Sequence, residues 1–132
     1  MKNLLFDASS LIYSLKKRNL KQLYNNYIQF LTIYEVINAI WRESYLNKAI
    51  TIEEARELMS IFNEVIELMK MIDPHECEKE ILEIAWELGI TAYDASYIVL
   101  AKKHNLILVS EDEKLKRKVG KIIKIVSLKE LS

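Results

Sequence analysis

Tyr93-Asp94-Ala95-Ser96-Tyr97-Ile98-Val99-Leu100-Ala101-Lys102-Lys103-His104-Asn105-Leu106-Ile107-Leu108-Val109-Ser110-Glu111-Asp112 is the stretch on which the fold turns. Asp94 opens an apolar segment that reads as a helix to about Lys103, stopped by His104-Asn105. The next apolar run, Leu106 to Val109, is too short for a helix and reads as a buried strand. Asp112 follows two residues after Ser110 and starts a short basic helix to Val119, ended by Gly120. Helices alternating with buried strands predict a parallel sheet with helices on both faces.

The same kind of break recurs upstream. Asp7 follows Asn3-Leu4-Leu5-Phe6, and Glu35 follows Phe30-Leu31-Thr32-Ile33-Tyr34. Four carboxylates, Asp7, Glu35, Asp94 and Asp112, therefore sit where four apolar runs break. Strand ends and helix starts are where an open α/β sheet places its binding crevice. Carboxylates gathered there repel one another unless a cation lies between them. A hard all-oxygen donor set suits Mg²⁺ or Mn²⁺. The pattern points to a divalent-metal phosphodiesterase site. Each acid also has a structural reading: Asp7 and Asp112 as helix caps, Glu35 in a Thr32-x-x-Glu35 capping box, and Asp94 as a first-turn residue favoured by the helix dipole.

The remaining elements follow from periodicity and caps. Asn3 to Phe6 reads as a buried strand, and Ser9 or Ser10 as the cap of a helix to about Lys17. Leu20 to Asn25 suggests a short helix, Tyr27 to Leu31 a strand, and Thr32 the cap of a helix to about Asn47. Thr51-Ile52-Glu53-Glu54 is a capping box for a helix to about Met69, whose apolar stripe includes Leu58, Phe62 and Val65. Lys70 to Ile72 suggests a strand. Asp73-Pro74-His75-Glu76 reads as the start of a helix ending at Gly89. Ile122 to Val126 is the last strand, and Leu128 to Leu131 a terminal turn.

Composition bounds the function. The 132 residues suit one domain spanning 1–132, long enough for a real core. No apolar run reaches the ~18–20 residues of a membrane span, and a strand at the very start argues against a signal peptide, so a cytoplasmic protein is expected. The single Cys77 excludes an internal disulfide and a cysteine-based zinc site. Net charge is zero but uneven. Residues 1–50 carry seven Lys/Arg against three Asp/Glu, residues 51–90 three against eleven, and residues 91–132 nine against five. All four candidate acids lie in the two basic segments, where a local field attracts a polyanion.

Leu5-Phe6-Asp7-Ala8-Ser9, Thr32-x-x-Glu35-Val36, Tyr93-Asp94-Ala95-Ser96-Tyr97 and Val109-Ser110-Glu111-Asp112, in this order and spacing, resemble the PIN-domain ribonucleases, especially the small VapC-type toxins. The resemblance covers the whole chain. It implies a three-layer α/β/α domain with a central parallel sheet, and Mg²⁺- or Mn²⁺-dependent endoribonuclease activity. It implies that Asp7, Glu35, Asp94 and Asp112 form a catalytic and metal-binding quartet supported by Ser9 and Ser110. Family members often have Thr at the position of Ser110; the hydroxyl is kept. The interval between Asp7 and Glu35 is short for the family. The resemblance further implies an RNA substrate, a homodimer and a small antitoxin partner, with no membrane association. Rival readings are a housekeeping nuclease of RNA processing or repair, a non-catalytic binding module on the same fold, and a phosphoacceptor or phosphatase domain.

Overall fold

A computed structural model describes residues 2–131. Along the chain run β1 (Leu4–Phe6), α1 (Ala8–Lys16), β2 (Tyr27–Gln29), α2 (Phe30–Trp41), α3 (Ile52–Ile66), β3 (Lys70–Ile72), α4 (Glu78–Leu88), α5 (Ala92–His104), β4 (Ile107–Val109), α6 (Glu113–Val119), β5 (Ile125–Val126) and α7 (Leu128–Leu131). The strands pair in the order β3-β2-β1-β4-β5, and every pair is parallel.

Alternation within β1 sorts the layers, because successive strand residues point to opposite faces. Leu4 and Phe6 pack with Leu11 and Leu15 of α1, Val36 of α2, and Phe62 and Val65 of α3. Leu5 faces the other way, toward a cluster of Ile98 and Leu100 of α5, Leu108 of β4 and Leu115 of α6. All three β1 side chains are fully buried. The result is the expected three-layer α/β/α arrangement. Covering both faces of a parallel sheet is also why its strands read as unbroken apolar runs.

Several joints differ from the sequence expectation, and local hydrogen bonding explains each. Asp7, not Ser9 or Ser10, caps α1: its Oδ1 accepts from the Ser10 backbone N–H at 3.0 Å. Leu20 to Asn25 forms turns instead of a helix; its bonds close three residues apart, and Asn25 has φ 65°. β2 ends at Gln29, which takes the N-cap position of α2. Thr32 thus lies inside α2 and accepts from the Gln29 N–H at 3.3 Å, so the Thr32-x-x-Glu35 box does not form. Beyond Trp41 the helix widens into a π turn over Arg42–Leu46, where the Asn47 N–H reaches back five residues to the Arg42 carbonyl at 2.9 Å.

Thr51 and Glu54 do form the reciprocal box that opens α3. That helix ends at Ile66, short of Met69, because the last bonds tighten to three-residue spacing. Asp73 caps a turn, accepting from the His75 N–H at 2.8 Å, and Glu76 has φ 78°. The helix therefore starts at Glu78, after the buried Cys77. Its expected end at Gly89 holds, with φ 64°. α5 begins two residues before Asp94, because Thr91 Oγ1 caps it by accepting from the Asp94 N–H at 3.1 Å. β5 covers only the last two residues of its expected span.

Candidate functional site

The strand order reverses between β1 and β4: the chain moves from β1 outward through β2 and β3, then returns to β1's other side. The crevice beyond the carboxyl ends of such strands is where open α/β sheets bind ligands. Asp7 leaves β1 there, and its N–H donates to the Val109 carbonyl of β4 at 3.2 Å. Ser10 Oγ donates to that same carbonyl at 2.9 Å, which ties the start of α1 to β4. Asp7 Oδ1 accepts from Ser9 Oγ at 2.9 Å as well as from the Ser10 N–H. Across the crevice, Asp112 caps α6, with Oδ1 accepting from the Leu115 N–H at 3.0 Å. Ser110 Oγ accepts from the Asp112 N–H at 3.1 Å and holds that turn. Ser9 therefore touches the Asp7 carboxylate itself, whereas Ser110 bonds the Asp112 backbone.

Glu35 enters from α2, and Asp94 from the first turn of α5. All four acids line one cavity of about 450 Å³. Burial pushes the Glu35 carboxyl above its ordinary range; the Tyr97 hydrogen bond opposes this, and the charges of Asp7 and Asp94 add to it. Burial likewise raises Asp94, and the charges of Asp112 and Asp7 raise it further. Glu35 and Asp94 thus each feel two other acids of the set, as expected for carboxylates gathered in one crevice.

Among the described residues, no three His, Cys, Asp or Glu side chains close into a ready cage for an ion. Mg²⁺ keeps several of its waters and takes only one or two carboxylates directly. An open set of hard oxygens under mutual repulsion fits such an ion.

A directed hydrogen-bond chain holds Glu35. The buried Tyr97 hydroxyl donates to Glu35 Oε1 at 2.5 Å. Its one proton is then spoken for, so the Thr32 hydroxyl, 2.7 Å away, donates to the Tyr97 oxygen. Thr32 Oγ1 in turn accepts from the Gln29 N–H. Burial first, then the Glu35 bond and charge, push the Tyr97 phenol far up, so it stays a donor.

The sequence places Tyr97 near the site, mostly as a packing residue, and gives Asn38 and Arg42 no role; all three line the cavity. A signal existed. Tyr97 lies three residues after Asp94, while Asn38 and Arg42 lie three and seven after Glu35, which is same-face helical spacing. Arg42 brings a cation into the acidic cavity at the start of the π turn, and π turns recur at functional sites.

Comparison with known proteins agrees with this architecture. The PIN domain matches residues 4–121. The chain is 35% identical over 101 residues to exonuclease VapC9 of Pyrobaculum aerophilum, covering 76% of this chain and 72% of that protein. Ribonuclease VapC3 of the same organism is 28% identical over 93 residues, covering 70% of each. The crystal structure of PAE2754 from Pyrobaculum aerophilum superposes with a TM-score of 0.79 at 31% identity, covering 98% of this chain and 85% of that one. A toxin–antitoxin complex from Klebsiella pneumoniae shares the fold, with a TM-score of 0.64 at 19% identity over 93% of this chain and 95% of that one. With a match over most of its length, and with the four acids of that resemblance in one crevice, the chain belongs to the PIN domain family.

Proposed function

We propose that this chain is a Mg²⁺- or Mn²⁺-dependent endoribonuclease acting in the cytoplasm as the toxin component of a toxin–antitoxin pair. One observation carries the reading: Asp7, Glu35, Asp94 and Asp112, from four separate elements, line a single cavity, where burial and the charges of the neighbouring acids raise the pKa of Glu35 and of Asp94. The relatives support its nuclease part, since one is named an exonuclease and another a ribonuclease, and a protein of the same fold stands in a toxin–antitoxin complex.

Bound there, the metal would offset the negative charge of the phosphodiester and lower the pKa of an attacking water. Asp7 and Asp94 would hold it directly, because each leaves a fixed element end. Asp112 would supply a further ligand or anchor a second ion. Glu35, presented by the Tyr97 hydroxyl, would orient the nucleophilic water or bind that second ion. Ser9 and Ser110 keep Asp7 and the Asp112 turn in place. Arg42 supplies a cation for a substrate phosphate.

Among the described residues, no helix is long and apolar enough to cross a membrane. The exposed Ile37, Trp41 and Ile52 flank a groove of about 410 Å³ between α2 and α3. An apolar surface of this kind suits a second copy of the chain or an amphipathic antitoxin segment.

The test is cleavage of a labelled single-stranded RNA by the purified protein and by Asp94→Asn, with Mg²⁺, Mn²⁺ or EDTA. Metal-dependent cutting by the parent alone is expected. Metal-independent cutting, or full activity in the variant, would sink the assignment.

A further inference from the structure

The acid cavity continues beyond the acids. It shares Ser9, Ile12, Ala39 and Arg42 with a second hollow of about 330 Å³, which lies between α1 and the π turn that follows α2, so the two form one groove. Helical spacing builds both walls. Ser9, Ile12 and Lys16 recur along one face of α1, and Glu35, Asn38 and Arg42 along one face of α2 and its π turn. Seven helical residues advance about 10 Å, so the Lys16 end of the groove lies that far from the Ser9 end, where Ser9 bonds Asp7.

Charge changes along this groove. Around the acid cavity, Asp7, Glu35, Asp94, Glu111 and Asp112 face a single cation, Arg42. In the second hollow the only carboxylate is Glu43, and Lys16 holds it in an ion pair. Arg42 is left over: among the described residues it meets no carboxylate at ion-pair distance, although acids line the cavity around it. A guanidinium stays charged at any working pH, and its fork matches a phosphate bidentately. Tyr13, half-exposed, adds an aromatic ring to the same hollow, with Lys17 Nζ 5.6 Å from its centroid. The groove therefore offers an anion partner and a stacking surface side by side, next to the acids. The opposite side of the acid cavity, toward Glu111, offers another negative charge and repels a phosphate.

We infer that the RNA strand leaves the acid cavity through the groove between α1 and the π turn, with Arg42 on the phosphate next to the scissile one and an unpaired base stacked on Tyr13; this rests on the nuclease reading above. Stacking on an aromatic ring tolerates any base, because every base has a π face. It requires a base free of its own helix, which makes Tyr13 a determinant of single-strand preference.

The experiment compares three labelled probes of equal length: a single-stranded RNA, the same RNA annealed to its complement, and an abasic phosphodiester oligomer. Binding to Asp94→Asn is followed by anisotropy in Mg²⁺, and cleavage of both RNAs by the parent protein is followed in parallel. The single strand should bind about tenfold tighter than the abasic oligomer, as for one base stacked on an aromatic ring. The duplex should bind more weakly than the single strand although it carries more charge. Tyr13→Leu should bring the single strand to the abasic level, with the loss in cleavage falling on KM more than on kcat. Tyr13→Phe, which keeps the ring, should retain both. Arg42→Gln should weaken all three probes alike and lower the salt slope by about one, and Arg42→Lys should retain the slope. Metal-dependent cutting with single-strand binding unchanged in Tyr13→Leu overturns the groove and keeps the nuclease. A preference for the intact strand that Tyr13→Leu erases, without metal-dependent cutting, keeps the groove and rejects the nuclease. An acidic peptide bound by the parent and lost in Arg42→Gln, with intact and abasic strands bound alike, assigns the groove to a protein partner and overturns the inference.

Discussion

Replacing Tyr97 with phenylalanine removes one oxygen and leaves the ring in the core. That oxygen donates to Glu35 Oε1 at 2.5 Å and receives the Thr32 hydroxyl at 2.7 Å. Hydrogen bonds to charged groups contribute about 1.5–3 kcal/mol. Glu35 is only partly buried, so water fills some of the vacated place and the lower end, about 1.5 kcal/mol, is the expected loss at pH 8. For a chain of 132 residues the melting temperature should drop by about 5 °C. At pH 4 Glu35 is protonated, because burial and the neighbouring charges hold its carboxyl above its ordinary range. The bond is then neutral and the stability difference shrinks to about 1 kcal/mol or less. Since the Tyr97 bond is what pulls the Glu35 carboxyl down, its loss moves the acid limb of the pH–rate profile to higher pH. Thermal melts at the two pH values and a pH–rate profile read both effects. Equal melting temperatures at pH 8, together with an unmoved acid limb, would refute the claim that Tyr97 presents Glu35.

Three further outcomes are expected. Asp94→Asn removes a charge that repels its neighbours, so in EDTA at pH 8 the variant should melt above the parent while lacking cleavage; a lower melting temperature would contradict the repulsion. Glu35 and Asp94 bind protons more tightly folded than unfolded, so their contribution to stability is present below the ordinary carboxylate range and lost as pH rises through their raised folded pKa values. Urea midpoints in EDTA should therefore show the parent's deficit against Asp94→Asn growing from pH 4 to pH 8, and added Mg²⁺ should raise the parent's midpoint most at pH 8; a constant deficit would sink the linkage. Arg42→Ala should raise KM for RNA about three- to tenfold and lower the salt slope of binding by about one, at an unchanged melting temperature; an unchanged salt slope would remove Arg42 from the phosphate path.

What the sequence disclosed and what it concealed divide along a physical line. Leu4-Leu5-Phe6 and Ile107-Leu108-Val109 announced a doubly covered parallel sheet, because burial on both faces leaves no polar alternation. The acids were legible because they interrupt those apolar runs. Helix starts were harder to place. Thr32 and Asp73 are good caps by residue type, but in the fold Thr32 is bonded to Gln29 and Tyr97, and Asp73 closes a turn. A capping residue accepts whichever N–H the chain brings to it, and tertiary packing decides which one arrives. The Ser96–Gln29 and Thr32–Tyr97–Glu35 contacts join residues more than sixty positions apart, and nothing local records them. The bond from Tyr97 to Glu35 is hidden for that reason: a tyrosine in an apolar helix reads as packing until the partner of its hydroxyl is known.

The structural and functional readings of the acids, rivals on sequence alone, become compatible in the fold. Asp7 and Asp112 each cap a helix, and each does so with the Oδ1 oxygen. A carboxylate has two oxygens and room for about four hydrogen-bonding contacts, so capping leaves acceptor capacity for a further ligand. The cap also fixes the rotamer, which a ligand must have before an ion arrives. A helix N-terminus carries partial positive charge, and this favours an ionised carboxylate beside it. Glu35 lies away from its helix start, at the sixth position of α2, where no cap is available to it. In its place stands the Tyr97 hydroxyl, a single strong donor from α5, backed by Thr32. Three acids at helix starts and one held by a phenol thus reach the same condition, a charged oxygen kept in position against its neighbours. A cation bound among them would relieve the repulsion that remains.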